Sequence, residues 1–279
     1  MILQEQGDQL IVIRQTDHAF LSGFFAREWG NDTFVKPAPN PSFCLAAAEH
    51  DNGWSDWELQ PTIDYKTHLP YSFMSIPTQE HINLYQRGIE RVVKVDHYAG
   101  LLVSMHASQL YDRTRATMPG YSAKYVKSEE TNLANDFVQR LRLQQLRLKV
   151  DLRANPETKP YAEENPLKLN LARFEVLDRL SLYFSMGDLE DSTLDAVPVN
   201  DAGDEIDLEL RPEGNNVVCV SPYPFRRDPL EFSILARRVP KRVYVDDLDF
   251  RNVLARAPFF AIHYSVHDRG AGMSYAAGR

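Results

Sequence analysis

A His-Asp doublet, His50-Asp51, closes the helix-like run at 43–51, and further metal-binding residue types stand around it along the chain. Their order is His18, His50-Asp51, His81, His106, Asp178. Imidazole and carboxylate suit divalent first-row transition metals. A helix can aim only a few side chains at one point, so a metal site in a helical core draws ligands from several helices. Five separate segments supply these six residues. Asp178 is the most telling single position, because Phe174, Leu177, Leu180 and Leu182 surround it in sequence. A buried carboxylate there needs a metal ion, or Arg173 or Arg179, to neutralise it. His97 competes with His106, but His106 lies among Leu102, Val103 and Met105, an interior setting in which an imidazole needs a partner. His263 and the second doublet His267-Asp268 fall outside any helical run and are set aside.

These side chains need helices to carry them. Residues 2–4 and 9–15 flank Gly7-Asp8 and read as a β-hairpin. Thr16 or Asp17 then caps a helix running to about Trp29, with His18 in its first turn. Ser42 is the expected cap of the doublet helix, which Gly53 stops, and its alanines 46–48 allow a neighbouring helix to approach closely. Helices are also expected over 79–95 with His81, 98–111 with His106, 129–152, and 167–186 with Asp178. The segment 55–77 reads as a long loop rich in aromatic residues, of the kind that forms lids or substrate-facing walls. Beyond Gly187 the pattern turns to strands at 205–211, 216–221, 230–239 and 259–266, with a short helix near 247–257. The expected organisation is a hairpin at 1–14, a helical domain at 15–187 and a β-rich region at 188–279 packed on it, with strands that can also pair with the hairpin. That makes an α+β protein, mainly an α-helical bundle.

Composition narrows the function classes. The chain has 279 residues, 43% hydrophobic and 25% charged, ordinary values for a globular protein with a sizeable core. A net charge of −8 argues against binding the nucleic-acid backbone, which needs a basic face. No apolar run suggests a membrane span, and the first residues have no secretory pattern. Cys44 and Cys219 lie far apart in apolar runs and read as free thiols of a cytoplasmic protein. The sequence leaves the oligomeric state open.

The order H…HD…H…H…D resembles the HD superfamily of metal-dependent phosphohydrolases, in particular its binuclear members that use six ligands. The resemblance covers roughly residues 15–187. It implies two divalent ions, iron, manganese or similar, with His18, His50 and Asp178 on one, His81 and His106 on the other, and Asp51 between them. A second resemblance spans nearly the whole chain. The runs Ala46-Ala47-Ala48-Glu49-His50-Asp51-Asn52-Gly53-Trp54 and Tyr98-Ala99-Gly100-Leu101-Leu102-Val103-Ser104-Met105-His106 look like an uncharacterised bacterial family, a domain of unknown function. So do Pro70-Tyr71-Ser72-Phe73 and Ser221-Pro222-Tyr223-Pro224-Phe225. That family supplies no activity, so the HD resemblance carries the mechanism.

The expected function is hydrolysis of a small, phosphorylated substrate at a binuclear His/Asp site. Asp51 and Glu49 are the candidate catalytic residues, Glu49 by orienting a ligand histidine. His68 and Tyr71 of the aromatic segment and Lys124 are candidate substrate contacts, and Arg113 and Arg115 could meet phosphate oxygens. The same ligands suit an HD-type diiron oxygenase, and a non-catalytic binding or regulatory domain is a third reading. Bound metal and redox behaviour distinguish the three.

Overall fold

The computed structural model describes residues 1–111 and 130–269. The chain opens with β1 (Ile2–Gln6) and β2 (Gln9–Ile13), which turn through Gly7 at φ +61°. Helices follow: α1 (Gln15–Glu28), α2 (Asn40–Glu49), the short α3 (Trp54–Leu59), α4 (Thr78–Val95), α5 (His97–Leu110), α6 (Thr131–Ala154) and α7 (Glu164–Met186). Gly187 ends α7 in the left-handed conformation, φ +80°, where a helix commonly stops. The long aromatic segment between α2 and α4 is not a plain loop. It holds α3 and a two-residue pairing of β3 (Ile63–Asp64) with β4 (Leu69–Pro70), pieces too short for periodicity to reveal. After α7 come β5 (Ser192–Pro198), β6 (Glu205–Gly214), β7 (Val217–Ser221), β8 (Leu230–Pro240), α8 (Asp247–Arg256) and β9 (Phe259–Asp268).

The expectation of a mainly helical, HD-like bundle is corrected by the sheet. The N-terminal hairpin and the five C-terminal strands form one seven-stranded sheet in the order β1-β2-β8-β9-β7-β6-β5. The β2–β8 junction pairs Leu10 with Val239, and β7 runs parallel to β9. The fold is α+β with a full sheet layer. The reason lies in α1 and α7, which bury a second face. Phe25 of α1 and Phe184 of α7 each pack on Phe232 of β8 with ring centroids 5.0 Å apart. Phe184 also meets Tyr264 of β9 at 5.2 Å, and the Tyr264 hydroxyl donates to the Phe184 carbonyl at 3.0 Å. A helix apolar on two faces needs a second layer to cover the outer one, and the sheet is that layer.

Close helix contacts set the geometry on the other side. A Cβ on Gly23 would stand 2.5 Å from Ala48 Cβ, so α1 and α2 meet almost backbone to backbone. Gly53 lies against α4, where a Cβ would stand 2.0 Å from the Leu84 carbonyl oxygen. The small residues around the doublet therefore do what their size allows. Among the described residues no helix is long and apolar enough to cross a membrane, and both cysteines are free thiols.

Candidate metal centre

Four elements deliver five of the six expected ligands to one buried point. α1 carries His18 in its first turn, and α2 ends at Glu49 so that His50 and Asp51 stand just past its last turn. α5 carries His106 and α7 carries Asp178. All five are buried, none more than 5% exposed. His18 Nε2 lies 3.0 Å and His50 Nε2 3.2 Å from Asp178 Oδ1, and the two ring nitrogens are 3.2 Å apart. Asp51 Oδ2 stands 3.8 Å from His18 Nε2 and 3.7 Å from His50 Nε2. His106 Nε2 is 3.7 Å from Asp178 Oδ2. The triads His18, His50, Asp51 and His50, His106, Asp178 each have ligand atoms within 4.8 Å of one another.

The hydrogen bonds behind the rings fix which nitrogen faces inward. His50 Nδ1 lies 2.9 Å from the Ala47 carbonyl oxygen, which can only accept, so Nδ1 carries the proton. Ser181 Oγ donates to the Asp178 backbone carbonyl at 2.9 Å and accepts from His18 Nδ1 at 2.8 Å. Both imidazoles thus turn Nε2 toward each other and toward a carboxylate. Lone pairs at these separations repel unless a proton or a cation sits between them. Ordering a ligand histidine through its far nitrogen is how metal sites are usually built.

Charge points the same way. Arg173 donates to Asn170 and Asp201, and Arg179 pairs with Asp195, so neither of the arginines near Asp178 in sequence neutralises it. Among the described residues, Asp51 and Asp178 have no Lys or Arg partner. Burial alone would push His50 down, but Asp51 and Asp178 outweigh it and raise its pKa to about 9. Burial works to raise Asp178, yet hydrogen bonds from His18 and His50 hold it well below the ordinary carboxylate range. For His106 burial wins, with a smaller opposing pull from Asp178, and its pKa falls to about 4.

The residues fit a divalent cation. Asp51 Oδ1, His106 Nδ1 and Gln15 Oε1 are buried with no hydrogen-bond partner among the described residues. The cluster lines a cavity of about 10 Å³, room for one ion-sized or water-sized body. Phe73, Tyr85, Leu110 and Leu182 form its apolar wall.

Other sequence-derived candidates lie elsewhere. His81 is buried, but its Nδ1 meets the Tyr111 hydroxyl and its ring stands between Trp54 and Tyr85, outside both triads. Burial, with help from the amine of Met1, lowers its pKa to about 3. Glu49 is half-buried and does not line the cavity. His68, at φ +56°, fastens its segment to the stretch before α8 through the Tyr244 carbonyl at 2.9 Å. Tyr71 is half-buried against the core and is likewise absent from the cavity wall. The segment does reach the site, through Phe73. Lys124, Arg113 and Arg115 lie outside the described residues. His97 is exposed at the start of α5, where Asp96 caps the helix by accepting from Ala99 N. His263 and His267 bond to Ser233 and Ser265.

Sequence reasoning missed two residues that hold the ligands. Gln15 Nε2 donates to Asp51 Oδ2 at 3.0 Å, and Ser181 holds His18. Ser181 was findable, since position i+3 from Asp178 shares its helix face. Gln15 had no such signal. Its place depends on Glu58 of α3, which accepts from Gln15 N at 2.6 Å and from the Thr16 hydroxyl at 3.1 Å. The expected caps Thr16 and Asp17 thus lie inside α1, whose first amide, that of buried Gln15, is satisfied from another helix.

No curated protein and no solved structure matches the chain. The HD relationship suggested by the ligand order therefore has no support from relatives. One family model runs from the first strand through β8, taking in the ligand helices and most of the sheet as one unit. By this match over residues 1–241 the chain belongs to the family described as "Protein of unknown function (DUF3891)".

Proposed function

We propose that His18, His50, Asp51 and Asp178 hold one divalent transition-metal ion, with His106 as a further neutral ligand, and that the protein is a metal-dependent hydrolase. The observation that carries this reading is the pair of inward Nε2 atoms, 3.2 Å apart, facing two buried carboxylates that have no Lys or Arg partner among the described residues. A divalent ion cancels that charge and supplies Lewis acidity, which polarises a phosphoryl oxygen and acidifies water. Ser181 and Ala47 orient the two imidazoles, and Gln15 holds Asp51. The wall of Phe73, Tyr85, Leu110 and Leu182 excludes bulk water and keeps the local dielectric low. A small phosphorylated substrate is favoured by the ligand order His, His-Asp, Asp, which is that of HD phosphohydrolases. Their helical bundle is no part of this reading.

One ion rather than two follows from His81. The second ion of the six-ligand scheme needs it, and it lies outside both triads, its ring against Trp54 and Tyr85. Elemental analysis of protein purified without chelator should give about one transition-metal ion per chain. His81→Ala should keep that ion. Hydrolysis of a panel of phosphate mono- and diesters should stop on chelation and return with metal. Two ions, both lost in His81→Ala, together with dioxygen consumption, would replace this reading by the diiron oxygenase. A chain that takes up no ion on reconstitution would leave a binding domain.

Metal affinity should depend on pH through His50. Its pKa in the metal-free folded protein is raised to about 9, so an incoming ion must displace a proton at neutral pH. Apparent affinity should rise about tenfold per pH unit from pH 7 and level off near 9. The raised pKa also stabilises the metal-free fold fully below the ordinary histidine value of about 6.5, and that contribution is lost as pH rises through about 9. Titration calorimetry at several pH values measures the slope. A flat profile would mean that His50 is not the group displaced.

A further inference from the structure

A second cleft, which shares no lining residue with the metal centre, opens between the start of α1, α3, α8 and the β8–β9 pair. Its volume is about 150 Å³, similar to cavities that hold a benzene-sized molecule. Arg14, Arg237 and Arg251 all line it. Two of them are engaged. Arg14 forms a two-point pair with Asp17 at 2.7 and 2.8 Å. Arg251 donates to the Pro61 and Gln60 carbonyls and stands 3.7 Å from Asp247.

Arg237 differs. It forms no ion pair among the described residues, it donates once to the Leu254 carbonyl at 3.0 Å, and its buried Nε has no hydrogen-bond partner there. Its guanidinium lies 3.9 Å from the ring centroid of Phe259, its cross-strand neighbour. Burial lowers its pKa and Arg14 adds to the effect, as a surplus of positive charge would. Asp17 and Glu58 also face the cleft, but Asp17 is taken by Arg14 and Glu58 by Gln15 N, the Thr16 hydroxyl and the Met1 amine. The rim is apolar and open. Leu59 is 80%, Leu235 45% and Phe259 47% exposed. A guanidinium with unused donors beside a half-exposed aromatic ring, which Arg14 also approaches at 5.7 Å, suits an anion with a hydrophobic body.

We propose that this cleft is a second ligand site for a small organic anion, its carboxylate or phosphate group at Arg237 and its apolar or aromatic body against Phe259 and Leu235. The site does not depend on the metal centre. Titration calorimetry on the full chain would use phenylphosphonate, benzoate, inorganic phosphate and benzyl alcohol as probes. Phenylphosphonate or benzoate should bind, and the tighter of the two identifies the anionic group. Inorganic phosphate and benzyl alcohol, each carrying half of the recognised chemistry, should bind at least about tenfold more weakly. Arg237→Gln should weaken binding about tenfold or more. Leu235→Glu, on the exposed rim where folding is not at stake, should do the same by repulsion. Asp178→Asn should leave binding unchanged. The proposal is overturned if neither anion binds, if benzyl alcohol binds as well as they do, or if Leu235→Glu has no effect. Loss of binding in Asp178→Asn would move the anion to the metal centre and equally sink it.

Discussion

His50→Ala is expected to lower metal affinity by more than about a hundredfold, because even the loss of a residue that only orients a ligand costs about ten- to a hundredfold. His50 belongs to both triads, so no other single ligand removes as much of the site. Asp178→Asn is the more discriminating variant. It keeps size and shape, removes the charge that faces both imidazoles, and should cost nearly as much affinity while helix content stays intact. Ser181→Ala, which releases only the far nitrogen of His18, should fall about ten- to a hundredfold below wild type. His263→Ala, whose ring bonds to Ser233 on the sheet, should bind metal normally. Metal content by elemental analysis and melting temperature with and without added metal would be measured together, since an ion stabilises only the state that binds it. If His50→Ala and His263→Ala retained equal metal, the ion would have to lie elsewhere.

Gly53→Ala should destabilise the fold by about 3 kcal/mol or more, at the upper end for overpacking. The added methyl would meet the Leu84 carbonyl oxygen at 2.0 Å and its carbon at 2.8 Å, with Gly88 N at 3.1 Å. Those are backbone atoms of α4, which cannot rotate away as a side chain could. α4 would have to shift, and the turn that carries His50 and Asp51 into α3 would shift with it. Gly203→Ala is the control for a glycine with space around it, since its nearest neighbour is a Leu169 methyl at 3.8 Å, although its φ of +92° adds some strain. Thermal and denaturant unfolding would measure both. A Gly53→Ala protein as stable as wild type would mean that the α3–α4 contact is looser than described.

The residue types and their order are legible in the sequence alone. His18, His50, Asp51, His106 and Asp178, singled out by residue type and order, come together in the fold, and the helices that hold them run close to their expected bounds. Helical periodicity works here because a ligand must lie on the buried face of its helix. The strands β6, β8 and β9 are readable by alternation, while β5, whose register shifts between Leu194 and Val197, breaks that pattern.

What the sequence cannot decide is which buried faces meet. One buried face per helix is all that a simple apolar stripe reports, so the sheet covering Phe25 and Phe184 is invisible to it, and a mainly helical bundle is the wrong expectation. His81 has the same local credentials as His106, a histidine on the buried face of a regular helix, yet it meets Tyr111 instead of the carboxylates. Gln15 reaches Asp51 because Glu58, from a helix more than forty residues later, accepts from its amide. Local pattern determines what each segment can offer. Which offers converge depends on backbone contacts such as Gly23 with Ala48 and Gly53 with Leu84, and these distances exist only once the helices have packed.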